Sequence, residues 1–468
     1  MYNICTNSRN LRSGDVFFCN EKAVQFLNNE VMQKVSKVFL PEGVSVDFPP
    51  FNYKIEYVQN FHEKLVDDLK KRYKLPNKIF AITGTKGKTS TAWFVFQILT
   101  LNKINASYFG TIGCFYSLDG QVFEMEKGNT LTTLAIDDLY KKFDFVKNLN
   151  IEYSVIEASS HGLLQGRLDG IEIDVCCFTN FSQDHLDYHK SMEEYFEAKT
   201  LLFKRKSSKK QFAVLNADIK EFAKLEQICK QNNHNILSFG ECDGVDLQTS
   251  TTQTELKMAY KHKGYDLQFN VVGGFQVANL AAAIGVCLQA GFEIEKIVSV
   301  VSKIKAPVGR MEQVFVENKP FNVFVDYAHS PDSLEKALQS LQGLGKKIVC
   351  VFGCGGDRDK TKRPIMGAIS YKLADCTILT SDNSRSEKTE DIINDIKAGI
   401  IESSPEREVF VIADREKAIA KAIEFYNNDT VVLIAGKGHE KYQTICGLTT
   451  HFDDLEVATR WLKSGKVG

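Results

Sequence analysis

An apolar run, Ile79-Phe80-Ala81-Ile82, stops at Thr83-Gly84, and after Thr85-Lys86-Gly87-Lys88-Thr89-Ser90-Thr91 the chain resumes with Ala92-Trp93-Phe94-Val95. That order of strand, glycine loop and helix commits this part of the chain to an α/β layer and makes a cradle for phosphate. Gly84 and Gly87 let the backbone turn close to a ligand with successive N–H groups pointing inward. The helix N-terminus adds its dipole, and Lys88 adds a mobile positive charge. The hydroxyl of Thr89 stands where Mg²⁺ is held. The full phosphate-loop pattern has a further glycine separated by four residues from the final Gly-Lys, and Ile82 occupies that position here. The loop is therefore a shortened variant. A bare strand-to-helix turn explains the glycines alone; strand, lysine, hydroxyl and helix together favour a nucleoside triphosphate.

Length and charge bound the rest. A chain of 468 residues suggests about three domains. An apolar fraction of 43% with 25% charged residues is ordinary for a globular protein, and a net charge of −1 exerts no general pull on nucleic acid or anionic membrane. The basic stretch Lys204-Arg205-Lys206-Ser207-Ser208-Lys209-Lys210 has no interleaved aromatics, so it reads as a solvated loop. No signal peptide or membrane-spanning run is expected, which points to the cytoplasm and to reduced thiols for the twelve cysteines. Cys176-Cys177 and the pair Cys350 and Cys354 lack partners at zinc spacing and read as buried thiols.

Three domains are expected, all α/β: a small N-terminal domain over 1–76, a central phosphate-loop ATPase-like domain over 77–308 and a Rossmann-like domain over 309–468. Leu75-Pro76-Asn77 breaks a charged helix spanning Glu63 to Tyr73, and Pro307-Val308-Gly309 reads as a linker. In the centre, Tyr153 to Glu157 and Asp174 to Phe178 read as buried strands, Met192 to Phe203 and Ala278 to Ala290 as helices, with another helix ending near Ile304. In the last region strands are expected at Asn322–Val325, Ile348–Phe352, Cys376–Leu379, Val409–Ile412 and Val431–Ile434. The first intervening helix opens at Ser330 with Pro331 and carries Leu334, Ala337, Leu338 and Leu341 on one face. Alternation of this kind implies a mostly parallel sheet whose ligands bind beyond the carboxyl ends of its strands. The segments there are Asp326-Tyr327-Ala328-His329, Gly353 to Asp359, Ser381 to Arg385 and Gly436 to Glu440. That edge reads as a site for a polar, charged small molecule, expected to face the phosphate loop.

Glu157, at the end of a buried strand, is placed as a Mg²⁺ ligand. The run Asp184-His185-Leu186-Asp187-Tyr188-His189 fits either a transition-metal site or a turn capped by Asp184 with surface histidines. Lys199 by itself reads as a solvated helix lysine.

Taken in order, Ser8-Arg9, Thr83 to Thr89, Glu157 to Arg167, Thr179 to His189, Lys199, Gly309-Arg310-Met311-Glu312, Asp326 to His329, Gly353 to Arg363 and Gly436 to Glu440 resemble the Mur ligases of peptidoglycan synthesis, over nearly the whole chain. The resemblance is nearest to members that add the third residue of the stem peptide. It implies ATP-dependent ligation of an amino acid to UDP-N-acetylmuramoyl-L-Ala-D-Glu through an acyl phosphate, by a cytoplasmic monomer that binds neither nucleic acid nor membrane and serves cell-wall synthesis, cell shape and division.

The family's roles carry over residue by residue. Gly84, Thr85, Lys86, Gly87, Lys88, Thr89 and Ser90 would cradle ATP, with Asn279, Arg310 and Asp326 as further nucleotide contacts and Asp326 on the ribose. Thr89 and Glu157 would hold one Mg²⁺ and His185 a second. Lys199 matches a lysine carbamylated by CO₂, which makes it an anion able to orient metal ligands. Lys88, Glu157, His185, Lys199 and Arg310 would be the catalytic set. Ser8, Thr132, Thr133, Ser159, Gln165 and Arg167 would contact the nucleotide-sugar substrate.

The amino acid would meet Arg358, Asp382, Asn383, Arg385, Gly436 and Glu440. Asp382-Asn383-Ser384-Arg385 resembles the Asp-Asn-Pro-Arg motif of members using meso-diaminopimelate, whose distal carboxylate suits a guanidinium. Arg358 and Arg385 would receive carboxylates, and Glu440 and Asp382 the distal ammonium. L-lysine is the alternative amino acid, and a folylpolyglutamate synthetase-like ligase or a nucleotide-hydrolysing regulatory protein the alternative functions. The chain departs from the family at Ser384 in place of proline, at Lys86 in place of asparagine and at Leu134 in place of proline. Ser384 leaves the loop before Arg385 freer than proline does.

Overall fold

The computed structural model describes residues 3–48, 51–125, 131–186, 188–251, 256–317, 319–400 and 407–464. Asp187 of the acidic and histidine run lies outside them. The chain forms two units, residues 1–246 with 282–297 and residues 247–281 with 298–468.

The first unit opens with a four-stranded parallel sheet of β1 (Ile4–Cys5), β2 (Val16–Phe18), β3 (Lys37–Pro41) and β4 (Ile55–Val58), in that order. Successive side chains of a strand face opposite ways, and β2 shows the result. Phe17 packs with Val38, Leu40 and Met32 on one face. Val16 and Phe18 join Leu65, Leu69, Ile79, Ala81 and Phe109 on the other. The expected charged helix runs from Phe61 to Arg72.

The main sheet of this unit comprises β5 (Lys78–Thr83), β6 (Ala106–Gly110), β7 (Gly113–Leu118), β8 (Gln121–Glu124), β9 (Tyr153–Glu157), β10 (Val175–Phe178), β11 (Phe212–Asn216) and β12 (Asn235–Gly240). Their order is β12-β11-β10-β5-β9-β6-β7-β8, parallel from β12 to β6 and antiparallel beyond. The inner strands read as unbroken apolar runs because both faces are covered; β10 is buried along its length. Two registers place the chemistry. Ile82 pairs with Glu157 on one side of β5, and Thr83 pairs with Phe178 on the other. The glycine loop thus leaves the sheet between the Glu157 carboxylate and the segment after β10. The helix after the loop spans Lys88–Leu101 and packs on β5, β6 and β9.

The second unit holds an antiparallel meander of β13 (Leu247–Thr251), β14 (Leu256–Tyr260) and β15 (Lys263–Leu267). Its six-stranded sheet comprises β16 (Glu312–Val316), β17 (Lys319–Asp326), β18 (Lys347–Phe352), β19 (Cys376–Leu379), β20 (Glu408–Val411) and β21 (Thr430–Ala435). The order is β16-β17-β21-β18-β19-β20, parallel except for β16 against β17. Val431, Leu433 and Ala435 of β21 enter one core and Val432 and Ile434 the other. Inserting β21 between β17 and β18 brings the loops after these strands together at one edge. A hairpin of β22 (Tyr442–Ile445) and β23 (Leu448–His451) follows the last of them.

The helix at Pro331–Gln342 starts as expected, with Ser330 and Ser333 forming a reciprocal cap and Leu334, Ala337, Leu338 and Leu341 buried. Two expected helices are shorter. The first ends at Thr200, and the one expected to end near Ile304 is a helix of Ile294–Val298 followed by a 3₁₀ turn at Val301–Lys303. Among the described residues no helix is long and apolar enough to cross a membrane. The twelve cysteines are free, with only Cys242 and Cys446 exposed.

Candidate active site

The glycine loop needs its glycines for stated reasons. Gly84 has a φ of 144°, and a Cβ there would lie 2.0 Å from Thr179 Oγ1. Gly87 caps the following helix in the left-handed region at φ 80°. The segment after β10 clasps the loop: Asn180 accepts from the Lys86 N–H at 2.8 Å and donates its Nδ2 to Lys86 O at 2.9 Å. Thr179 Oγ1 donates to the same oxygen at 2.6 Å. Lys86 pairs with Asp184 at 2.9 Å. Burial opposes ionisation of Asp184, but Lys86 and His185 outweigh it and bring its carboxyl down to about 2. The lysine in place of asparagine is thereby balanced within this segment.

Lys88 donates to Gly84 O and Thr85 O, each at 2.9 Å. Lys199 is buried, 1% exposed, and donates to the same Gly84 O at 2.8 Å, its Nζ 4.2 Å from the Tyr195 ring centroid. A solvated helix lysine, the reading from its own segment, is therefore wrong: its helix turns it into the sheet edge. Burial first, and the charge of Lys88 second, push its pKa well below the ordinary lysine value.

Glu157 is 1% exposed. Thr89 Oγ1 donates to its Oε2 at 2.9 Å, Tyr108 OH to its Oε1 at 2.5 Å, and Thr111 to both oxygens through its N–H at 2.8 Å and hydroxyl at 3.1 Å. Tyr108 lies within β6 and Thr111 just after it, and neither carries a motif, so the sequence reading missed them. The carboxylate and the Thr89 hydroxyl form a hard-oxygen pair beside the phosphate loop, a donor set that fits Mg²⁺. His185 lies at φ 53°, half exposed, with its ring centroid 5.1 Å from that of His161. His189 is not a surface histidine: it is 3% exposed, and its Nε2 lies 3.0 Å from Ser160 Oγ. Among the described residues, which do not include Asp187, no three His, Cys, Asp or Glu side chains converge to hold a metal.

Thr133, Ser159, Gln165 and Arg167 come together beyond Glu157. Thr133 Oγ1 donates to Glu157 O at 2.8 Å and accepts from the Ser159 N–H at 2.9 Å. Arg167 reaches Thr133 O at 2.5 Å and Gln165 Oε1 at 2.6 Å. The Thr132 hydroxyl lies 3.1 Å from Thr111 Oγ1, which can accept from it while donating to Glu157, so this segment is more than a simple turn. Ser8 lies on a separate 3₁₀ turn, Ser8–Asn10. The segment just before it is tied to the main body where Thr6 Oγ1 donates to Asp137 at 2.6 Å.

In the second unit, Arg310 stacks over Tyr327, 4.6 Å from the ring centroid. Asp326 accepts from the Met311 N–H at 2.7 Å; burial raises its pKa to about 6 against the pull of Arg310. Asn279 donates to Gln276 Oε1 at 2.9 Å.

The loops after β19 and β21 interlock. Asn383 donates to Glu440 Oε2 at 2.8 Å and accepts from the Thr444 N–H at 2.9 Å. Gly436 leaves room for Asp382, whose Oδ2 would stand 2.6 Å from a Cβ. Arg385, at φ 54°, donates to Gly356 O at 2.6 Å. Ser384 is 1% exposed, and its hydroxyl has no hydrogen-bond partner among the described residues. The hairpin holds its neighbour: Arg385 N–H donates to Thr444 O at 3.1 Å and Gly447 N–H to Arg385 O at 3.2 Å. Arg358 is exposed at the same edge. Burial raises the Glu440 carboxyl above its ordinary value, against the pull of Lys437.

Comparison with known proteins agrees with this architecture. The Mur ligase middle domain matches residues 82–287, and the Mur ligase, glutamate ligase domain matches residues 309–438. The chain is 36% identical over 464 residues to a UDP-N-acetylmuramoyl-L-alanyl-D-glutamate--2,6-diaminopimelate ligase of Rickettsia bellii (strain RML369-C), covering 97% of this chain and 94% of that one. It is 38% identical over 421 residues to the protein of that name from Fusobacterium nucleatum, covering 87% and 84%. A solved structure of a protein so named superposes with a TM-score of 0.69 at 30% identity, covering 100% of this chain and 96% of that one. A MurF ligase from Thermotoga maritima, solved in complex with ADP, shares the fold at a TM-score of 0.60 and 17% identity, covering 99% and 98%.

Two outcomes follow from the geometry. Gly84→Ala forces a Cβ onto Thr179 Oγ1, a strain of about 1–3 kcal/mol, so calorimetric ATP affinity should fall about ten- to a hundredfold; an unchanged affinity would contradict the loop assignment. Asp326→Asn tests the buried carboxyl. Its raised pKa means that the protonated form stabilises the fold, fully so below about pH 4 and progressively less as pH rises through about 6. The variant should melt higher than the wild type above that range and equally at low pH; a difference independent of pH would contradict this.

Proposed function

The chain belongs to the Mur ligase family, and from that membership we propose that it joins meso-diaminopimelate to UDP-N-acetylmuramoyl-L-Ala-D-Glu at the expense of ATP. The substrate carboxylate attacks the γ-phosphorus, giving an acyl phosphate and ADP. The amine of the amino acid then attacks the acyl carbon, and collapse of the tetrahedral intermediate expels phosphate and leaves an amide. Two anions must meet in the first step, so positioned positive charge carries most of the work.

Lys88, anchored at the mouth of the loop, is suited to the β- and γ-phosphates. Thr89 and Glu157 would hold Mg²⁺, and His185 a second ion. Bound there, divalent cations supply charge neutralisation for the triphosphate and the developing acyl phosphate. Thr111 and Tyr108 orient the Glu157 carboxylate by hydrogen bonds to both oxygens.

Within the site, the observation that supports this reading is Lys199. Its amine is buried against Gly84 O with its pKa pushed down, and a neutral amine is the form that adds CO₂. The addition forms an N–C bond, releases a proton and leaves a carbamate anion at the phosphate loop, next to Gly84. Arg167, Gln165, Ser159, Thr133 and Thr132 offer a hydrogen-bonding surface to the acidic nucleotide-sugar, with Ser8 on the N-terminal turn. Asn279, Arg310 and Asp326 suit the nucleoside of ATP. At the second unit's loop edge, Arg385 and Arg358 suit carboxylates, and Asp382 and Glu440 an ammonium. The assignment of residues 1–76, 77–308 and 309–468 to nucleotide-sugar, ATP and amino acid belongs to the same proposal, as do a monomeric state and a cytoplasmic location.

The test is phosphate release and product mass with ATP, UDP-N-acetylmuramoyl-L-Ala-D-Glu and either meso-diaminopimelate or L-lysine. Turnover with diaminopimelate alone is expected. Turnover with lysine alone would overturn the reading of Arg385, and turnover with neither would overturn ligation. Arg385→Ala should raise the KM for diaminopimelate about ten- to a hundredfold, by loss of a charge-assisted pair, while changing any residual use of lysine much less. Equal effects on both amino acids would remove Arg385 from the recognition of the distal carboxylate.

A further inference from the structure

Beneath the interlocked loops of the second unit lies an ion pair that no motif announces. Arg415 opens the helix Arg415–Glu424 and Asp454 opens the helix Asp454–Lys463. Both side chains are fully buried. The guanidinium meets the carboxylate through two parallel bonds, Nε to Oδ1 and Nη2 to Oδ2, each 2.7 Å. Two further N–H groups go to backbone carbonyls: Nη1 to Ser381 O at 3.1 Å and Nη2 to Ala435 O at 3.0 Å.

Those two carbonyls are the point of interest. Ser381 immediately precedes Asp382-Asn383-Ser384-Arg385, and Ala435 immediately precedes Gly436-Lys437-Gly438-His439-Glu440. One rigid, planar group therefore ties the roots of both loops, while Asn383 and Glu440 tie their tips at 2.8 Å. Lys437, also fully buried, spans the space between with its Nζ 2.5 Å from Tyr442 O and 3.5 Å from Asn383 Oδ1. A lysine at position 415 could not reproduce four bonds in one plane, because its three donors diverge from a single nitrogen.

Stability alone is a weak reason for such a pair, since well-packed apolar replacements are often as stable or more so. Position is the better reason. We propose that Arg415 is a positioning residue for the incoming amino acid, with Asp454 orienting its guanidinium, and that this buried strut sets the spacing between the two recognition loops. The inference rests on reading those loops as the amino-acid site. Arg415 itself touches no substrate; it acts through Asp382, Asn383, Arg385 and Glu440.

The test uses the full chain and steady-state kinetics with ATP, the nucleotide-sugar and meso-diaminopimelate. The paired change Arg415→Met with Asp454→Leu removes the strut without stranding a charge, and Arg415→Lys keeps the charge but loses the fork. Both variants should unfold cooperatively. The KM for diaminopimelate should rise about tenfold or more as the loops lose their set spacing, with the KM for ATP within about twofold of wild type. For Arg415→Lys the KM for diaminopimelate should fall between those of the wild type and the paired variant. An unchanged KM for diaminopimelate in a folded variant would overturn the proposal, as would equal rises for ATP and diaminopimelate, which mark general damage. Should the paired variant fail to fold, the ratio of the two KM values in Arg415→Lys decides in the same way. Wild-type protein that shows no diaminopimelate-dependent turnover would instead overturn the amino-acid site, and the strut's role with it.

Discussion

Two lysines share one carbonyl. Gly84 O accepts from Lys88 at 2.9 Å and from Lys199 at 2.8 Å, and the geometry of the first unit depends on that meeting. Like charges this close in a buried setting repel strongly, so they coexist only if one is discharged or if anions arrive. Both remedies are built in. A triphosphate would supply anionic charge at the loop, and burial, which lowers the pKa of Lys199, favours the uncharged amine that the proposed reaction with CO₂ requires. The strand registers make the meeting possible. Ile82 opposite Glu157 and Thr83 opposite Phe178 bring a carboxylate, a glycine loop and the Asn180 clasp to one end of β5.

The second unit meets a different demand with similar means. Its sheet gathers four loops at one edge, but topology alone leaves loops loose. Here they are tied at the tips by Asn383 and Glu440, at the roots by Arg415, and from the side by the β22–β23 hairpin that holds Arg385. Arg385 sits at φ 54°, a backbone conformation that costs a residue with a side chain about 1 kcal/mol or more. A site that must distinguish two amino acids by one carboxylate gains from a guanidinium held in place. In the Asp-Asn-Ser-Arg segment the hairpin restrains the backbone of Arg385 directly.

What could be read in the sequence follows from how local each signal is. The phosphate loop, β19 and the helix at Pro331 were legible because an apolar run, a glycine or a cap residue marks each end. The meander β13–β15, the hairpin β22–β23 and the short N-terminal strands were not, since they are brief and carry little apolar alternation. Lys199 was misread from its own helix because burial is a tertiary property; only the resemblance to Mur ligases gave it a role. His189 looked like a surface residue because nothing nearby in sequence reveals Ser160, 29 residues away. Tyr108, Thr111, Arg415 and Asp454 act through partners distant in the chain and belong to no motif, so no pass along the sequence could have found them.

The direct measurement is ¹³C NMR of the protein equilibrated with ¹³CO₂, with Lys199→Arg as control. A carbamate resonance present in the wild type and absent from the control is predicted, since a buried arginine keeps its charge and cannot add CO₂. A wild-type spectrum with no carbamate, or one shared equally by the control, would contradict the claim that the crowded lysines at Gly84 are resolved by turning one of them into an anion.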